Sequence, residues 1–109
     1  MIALSPKDDL LEKIRGCSDY KMVFVSSDKC PACTRADEVI KQCNITVSLL
    51  LDGIYKQEMM NCLDFCDKYN IDGVPSLIIF DPEHNEVSRL EFAPTQEEFL
   101  IWLTNTLVD

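Results

Sequence analysis

The sequence predicts an α/β fold: one mixed sheet of four strands, with a fifth allowed, and helices on both faces of the sheet. Two observations lead to this prediction. Short apolar runs with β-branched and aromatic residues alternate with longer segments whose apolar residues recur at helical spacing. The last two predicted strands are joined by a short polar turn, which makes them antiparallel, whereas the earlier strand–helix–strand units make parallel neighbours.

Three elements are predicted in the first part of the chain. Residues 5–14 form a helix that begins with Ser5 as N-cap and a proline at its first position. Residues 21–27 form a buried strand, because this short run is apolar and contains β-branched and aromatic residues. Residues 31–42 form the next helix, since four apolar residues recur there at helical spacing.

Five further elements are predicted in the rest of the chain. Residues 45–51 are nearly all apolar, which predicts a strand buried on both faces between parallel neighbours. Residues 54–69 have apolar side chains at helical spacing and are predicted to form a helix. Residues 76–80 and 86–92 are predicted to be strands of a hairpin. A threonine followed three residues later by a glutamate forms a capping box that opens the last helix, 95–107.

The length of 109 residues predicts a single domain over residues 1–109. The formal net charge of −9 disfavours nucleic-acid partners, because an acidic surface repels phosphates. We expect no membrane partner, since no apolar run approaches the roughly 20 residues of a membrane span, and the N-terminus lacks the pattern of a secretory signal. The six cysteines accompany enough apolar residues for a core, which predicts a cytoplasmic protein with mostly reduced thiols rather than a secreted disulfide scaffold.

The motif that carries chemistry is Cys30-Pro-Ala-Cys33, between the first predicted strand and the helix that follows it. At the start of a helix, unpaired N–H groups and the helix dipole favour a thiolate at Cys30. Cys33 lies one turn later, close enough to attack a mixed disulfide formed at Cys30. Pro31 suits the first helical turn, Ala32 adds neither charge nor hydrogen bond, and Lys29 contributes a nearby positive charge.

The same cysteine spacing also occurs in half of a zinc site, which needs two further ligands. Cys62 and Cys66, four residues apart, or His84 would have to supply them. A zinc half-site ordinarily lies on a knuckle rather than at the start of a helix, so a redox role is favoured. An inert structural disulfide is a third alternative. We expect no metal and no cofactor.

The remaining side chains of interest have structural explanations. Cys17, Cys43, Cys62 and Cys66 are expected to be small buried hydrophobic residues rather than a second redox pair. His84, the single histidine, is expected on the surface in a polar turn.

The segment Tyr69-Asn-Ile-Asp-Gly-Val-Pro-Ser-Leu-Ile-Ile-Phe80, taken with the Cys30–Cys33 motif, resembles the thioredoxin-fold superfamily. The resemblance covers roughly residues 20–107 as an order of elements and implies a thioredoxin-like sheet. It implies a cis bond before Pro75 and a backbone beside it that pairs with a substrate chain as an added strand. It implies Cys30 and Cys33 as catalytic residues, and as substrate-binding residues Lys29, Pro31, Ala32, Val74 and Pro75.

The sequence departs from thioredoxins near the dithiol. Lys29 replaces the family's tryptophan, and Phe24 replaces the buried acid six residues before the first cysteine. In thioredoxins that acid accepts the proton of the resolving thiol. Cys33 is therefore expected to lose its proton to water or to substrate groups.

These features predict a thiol–disulfide oxidoreductase that reduces or exchanges protein disulfides and takes electrons from a dithiol or a reductase. We expect a monomer. One alternative is a glutaredoxin-like, glutathione-dependent enzyme, because residues 25–37 resemble glutaredoxins. The Gly-Gly turn that helps glutaredoxins to hold glutathione is replaced here by residues 81–85, which contain no glycine. The other alternative is a non-catalytic module whose groove beside Pro75 binds a protein.

Overall fold

The computed structural model describes residues 1–108 and is built on a mixed five-stranded sheet. In chain order its strands are β1 (Ile2–Ala3), β2 (Lys21–Ser26), β3 (Gly53–Glu58), β4 (Ser76–Phe80) and β5 (Glu86–Leu90). Across the sheet the order is β1-β3-β2-β4-β5. β3 is parallel to both β1 and β2, whereas β4 is antiparallel to β2 and to β5. The predicted fold class is confirmed, and the fifth strand is β1 at the edge.

Helices cover both faces of this sheet. They are α1 (Leu10–Arg15), α2 (Pro31–Gln42), α3 (Asn44–Leu50), α4 (Leu63–Lys68) and α5 (Gln96–Leu107), with a 3₁₀ turn at Met59–Asn61. One core cluster joins the sheet to α2 and α5, and the other joins it to α1 and α4. Each helix within residues 1–108 is too short or too polar to cross a membrane.

The central strand β2 explains how the two clusters arise. All six of its residues are buried. Met22 and Phe24 pack in the cluster on the α2 side, whereas Val23 and Val25 pack in the cluster on the α1 side. Since successive side chains of a strand point to opposite faces, this nearly continuous apolar run fills both layers of the core.

The prediction for residues 45–58 was wrong. Residues 45–51 were expected to be a buried strand, but residues 44–50 form α3, where Ile45 and Leu49 are 76% and 80% exposed. The true strand, β3, lies where the sequence predicted the start of a helix. Its lysine, glutamine and glutamate favour helix, but pairing with β2 along its whole length and with β1 at Tyr55 and Lys56 outweighs that preference. Of the helix predicted over residues 54–69, only the C-terminal part forms, as α4.

Helix α1 begins later than the sequence predicted. Asp9, not Ser5, is its N-cap and accepts the N–H groups of Leu11 and Glu12. Ser5 instead forms a turn in which its N–H and hydroxyl donate to the carboxylate of Asp8. The local signals elsewhere were sufficient: the predicted helix 31–42, the strand 76–80 and the Thr95–Glu98 capping box of α5 are confirmed. β5 ends two residues earlier than predicted.

Candidate active site

The two cysteines of the motif lie where β2 leads into α2. Cys30 and Cys33 form a disulfide with their Cα atoms 5.1 Å apart. Cys30 is the N-cap residue of α2, and its sulfur accepts the backbone N–H of Cys33 at 3.1 Å. This N–H is one of the donors that the start of every helix leaves without a partner inside the helix. Negative charge on the Cys30 sulfur would therefore be stabilised by the end of α2.

The two cysteines differ in exposure. Cys30 is half-buried at the open end of the helix, whereas Cys33 is only 4% exposed and belongs to the core cluster on the α2 side. Beside them, Lys29 and Pro31 are exposed and Ala32 is half-buried. A disulfide of another protein can therefore approach Cys30 more directly than Cys33.

The segment before β4 lies at the same end of the sheet as this dithiol. Val25, near the end of β2, pairs with Ser76 at the start of β4, so the residues that precede Ser76 flank the loop that leads to Cys30. The Val74–Pro75 peptide bond is cis, the isomer that the resemblance implied. Val74 packs on the same cluster as Cys30, and Gly73 before it is exposed.

A cavity of about 300 Å³ opens beside Cys33. Its charged lining residues come from three parts of the chain, and they are Asp28, Asp37, Lys56 and Glu58. This group was not predicted from the sequence. One signal was available: Asp37 follows Cys33 by four residues, which places both on one face of α2.

Asp37 is held by two lysines. Its carboxylate accepts from Lys41 at 2.8 Å and from Lys56 at 2.9 Å, and its side chain is 14% exposed. Burial raises the pKa of Asp37, but the hydrogen bonds and charges of Lys41 and Lys56 outweigh burial and hold the pKa below its usual range. Lys56 also lies over the ring of Phe24, 5.4 Å from its centroid. Phe24 itself is completely buried.

Glu58 has a different environment. It is half-buried at the end of β3, and its main charged neighbour is the carboxylate of Asp28. A hydrogen bond shared with Asp28, together with some desolvation, raises the pKa of Glu58. Glu58 therefore binds a proton more readily than an ordinary glutamate, whereas Asp37 binds one less readily than an ordinary aspartate.

The sequence matches the family model of the thioredoxin-like domain over residues 8–107. The chain belongs to the thioredoxin-like family. The resemblance given by the two motifs is thereby confirmed, and the thioredoxin-like fold with its Cys-x-x-Cys pair supports a thiol–disulfide oxidoreductase at the general level. Comparison with curated proteins gives no significant match.

Solved thioredoxins have the same fold as this thioredoxin-like chain. The thioredoxin of Malassezia sympodialis, described as a member of a pan-allergen family, superimposes with a TM-score of 0.78 at 12% identity, covering 97% of this chain and 90% of that one. A mutant thioredoxin from Halobacterium salinarum has a TM-score of 0.76 at 15% identity, covering 97% of this chain and 89% of that one. At such identities the likeness concerns the fold.

The other four cysteines of the thioredoxin-like chain are free and buried, as expected; they are Cys17, Cys43, Cys62 and Cys66. Cys62 and Cys66 have their sulfurs 3.9 Å apart in the cluster on the α1 side, so the sheet separates them from Cys33. This separation argues against a zinc site shared by the two pairs. Within residues 1–108, no three histidine, cysteine, aspartate or glutamate side chains are grouped to hold a metal ion.

His84 was expected to be a surface residue, but it is half-buried against a lysine. Lys21 is completely buried, and its ammonium donates to the carbonyls of Cys17 at 3.2 Å and Asp81 at 2.7 Å. The same nitrogen lies 2.6 Å from Nδ1 of His84. A buried ammonium needs such partners to compensate for lost hydration, and no local sequence pattern shows that β2 begins with one.

The stability of the oxidised protein is expected to decrease as the pH rises from about 9 to about 12. Burial, with the neighbouring Cys66, raises the pKa of Cys62 from 9.0 to about 12. Below pH 9 this thiol is neutral in both states; above it, ionisation of the unfolded chain favours unfolding until the folded pKa is reached. One thiol contributes at most about 1.4 kcal/mol per pKa unit. Urea denaturation at each pH measures the slope.

The matched variants for this prediction are Cys62→Ala and Leu63→Ala, the second at the neighbouring exposed position. Cys62→Ala is expected to reduce the alkaline slope, to which the other buried thiols also contribute, and Leu63→Ala to leave it unchanged. An unchanged slope in Cys62→Ala would show that other groups cause the loss of stability at alkaline pH.

Proposed function

We propose that this thioredoxin-like chain reduces or exchanges disulfides of other proteins, with Cys30 as the nucleophile and Cys33 as the resolving thiol. One observation carries the proposal: Cys30 is the N-cap of α2 and accepts the Cys33 N–H, while Cys33 is buried one turn further along. Of these two sulfurs, the one at the open helix end has both a route to solvent and a backbone N–H that stabilises a thiolate.

The reaction has two exchange steps. The Cys30 thiolate attacks one sulfur of the substrate disulfide, which breaks and leaves a substrate thiolate and a mixed disulfide. The Cys33 thiolate then attacks the Cys30 sulfur, forming the Cys30–Cys33 disulfide and releasing the second substrate thiol. The substrate disulfide gains two electrons and the dithiol loses two. A dithiol or a reductase returns the pair to its reduced form.

The residues around Cys30 support binding of an extended protein segment. Val74 and Cys30 pack against the same core cluster, and the bond between Val74 and Pro75 is cis. The proposal is that the Val74 backbone pairs with a substrate strand there. Lys29, Pro31 and Ala32 are the chain neighbours of the two cysteines and are exposed or half-buried, so a bound segment can contact them. Such pairing would hold a substrate disulfide in line with the Cys30 sulfur.

The reduction potential of the Cys30–Cys33 pair is expected to lie above thioredoxin's value of about −270 mV, at about −200 to −240 mV, because a Cys-Pro-x-Cys dithiol favours its thiolate. Equilibration in glutathione buffers, followed by alkylation and mass measurement, gives the potential. A potential below that of thioredoxin would contradict this reasoning.

An insulin-reduction assay, with dithiothreitol as electron donor, tests the function itself. Turnover that the Cys30→Ser variant loses supports the proposal. Turnover only with glutathione and glutathione reductase would favour the glutaredoxin-like enzyme, and partner binding without turnover would favour a binding module.

The compartment and the oligomeric state of the protein belong to the same proposal. The four other cysteines are free, which supports a reducing compartment such as the cytoplasm. We also propose that residues 1–109 act as one domain and one monomer, which light scattering at the working concentration tests.

A further inference from the structure

The proposed function leaves one proton without an acceptor. Cys33 attacks as a thiolate, so its thiol must first lose a proton inside a largely buried site. Phe24 stands where the acid of thioredoxins would be expected, and its ring is completely buried. Another group of this chain must therefore accept that proton. Its assignment rests on the proposed function.

The register of β2 and β3 brings carboxylates from other elements to Cys33. Phe24 pairs with Lys56, and Ser26 pairs with Glu58. Because side chains alternate between the faces of a strand, Lys56 and Glu58 point to the same face as Phe24, which is the face that α2 covers. Cys33 lines a cavity on that face together with both residues.

The charged groups that face this cavity are unequal as proton acceptors. Asp37, from α2, is already bonded to two ammonium groups, and its lowered pKa makes it a weak base. Lys56, from β3, is a cation committed to Asp37. Glu58 forms no ion pair with any residue in the described range 1–108. Asp28, from the loop before α2, raises the pKa of Glu58 and makes Glu58 a stronger base than Asp37.

We propose that Glu58 accepts the proton of Cys33 through water in this cavity when Cys33 resolves the mixed disulfide. A cavity of about 300 Å³ has room for bridging water, since one water occupies about 30 Å³ of liquid. The S–H proton passes to the Glu58 carboxylate, the Cys33 thiolate forms a bond to the Cys30 sulfur, and the bond from Cys30 to the substrate breaks. The departing substrate thiolate takes a proton from solvent or from Glu58.

Stopped-flow reaction of the reduced protein with excess dithiobis(nitrobenzoate) separates the two steps. The first phase releases one nitrothiobenzoate as Cys30 attacks, and the second releases another as Cys33 resolves the mixed disulfide. This leaving group needs no proton, so the second phase reports deprotonation of Cys33. Cys33→Ser, which releases only the first equivalent rapidly, identifies the first phase.

Glu58→Gln is expected to keep the first phase and to slow the second about tenfold or more at neutral pH. In the wild type the second phase should slow below the raised pKa of Glu58. In Glu58→Gln this acid limb should be replaced by a rate that keeps rising with pH until Cys33 itself ionises, because no carboxylate base then assists its ionisation. Asp28→Asn should move the limb to lower pH, because Glu58 then loses the neighbour that raises its pKa. Added imidazole should restore the second phase of Glu58→Gln.

Two control variants distinguish a proton acceptor from a general change of charge. Glu38→Gln removes one carboxylate from α2 outside the cavity and should leave both phases unchanged. Asp37→Asn should slow the second phase less than Glu58→Gln does. A normal second phase in Glu58→Gln, or a larger effect of Asp37→Asn, overturns the assignment to Glu58. Absence of the first phase in the wild type would instead overturn the proposed function.

Discussion

Cys33→Ser is expected to accumulate mixed disulfides with substrate proteins through Cys30, whereas Cys30→Ser accumulates almost none. Without Cys33 the first exchange still occurs at the open end of α2, but no thiol remains to release the substrate. Without Cys30 the remaining thiol is 4% exposed and lies one turn inside the helix. Either substitution should abolish catalytic turnover of disulfides.

Non-reducing electrophoresis against oxidised insulin or a denatured disulfide protein measures the trapped fraction. Alkylation of the reduced wild type provides an independent check, since iodoacetamide at neutral pH should modify Cys30 well before Cys33, Cys62 or Cys66. Equal trapping by the two variants, or turnover that survives loss of Cys30, would show that the roles are assigned wrongly and would favour the binding-module alternative.

Phe24→Ala is expected to lower the free energy of unfolding by about 3–5 kcal/mol. The Phe24 ring is completely buried at the centre of β2, in contact with the cluster that joins the sheet to α2 and α5. Truncation removes apolar burial and leaves a cavity that close-packed neighbours fill only in part. Since a small domain has only about 5–15 kcal/mol of stability, the variant should be markedly less stable.

Denaturant titration of the oxidised protein measures this loss, and Phe24→Leu is the matched control. Leucine retains most of the apolar contact and should cost less than half as much as alanine. Val87→Ala, at an exposed position of β5, should change the stability little. A loss below about 1 kcal/mol in Phe24→Ala would contradict the central place of this ring in the core.

The fold was predictable where local chemistry decides the structure. Pro31 at the start of α2 and the Thr95–Glu98 capping box of α5 are signals that a helix end carries in its own sequence. The exchange of helix and strand between residues 45 and 58 had no such signal. An apolar, β-branched run became the partly exposed helix α3, which packs only Val47 and Leu50 on the core. A polar segment became β3, because pairing with β2 and β1 outweighs its helix preference.

The residues of the candidate site also differ in whether the sequence alone could predict their positions. Cys30, Cys33 and Pro75 stand in short motifs, so their positions could be predicted from the sequence. Glu58 and Lys56 reach Cys33 only through the register of β2 and β3. A helix over residues 54–69, as the sequence predicted, has no such register with β2. The position of Glu58 near Cys33 could therefore not be predicted.

The separation of the thiols by the sheet limits how redox damage can spread. Cys62 and Cys66 lie behind the strands from Cys33, and Cys43 follows a helix of 12 residues, about 18 Å of axis beyond its start. A disulfide at Cys30 thus has no neighbouring thiol except Cys33 with which to exchange. Under the proposed function, repeated cycles of oxidation are therefore expected to leave Cys43, Cys62 and Cys66 unscrambled, so that the fold outlasts its own chemistry.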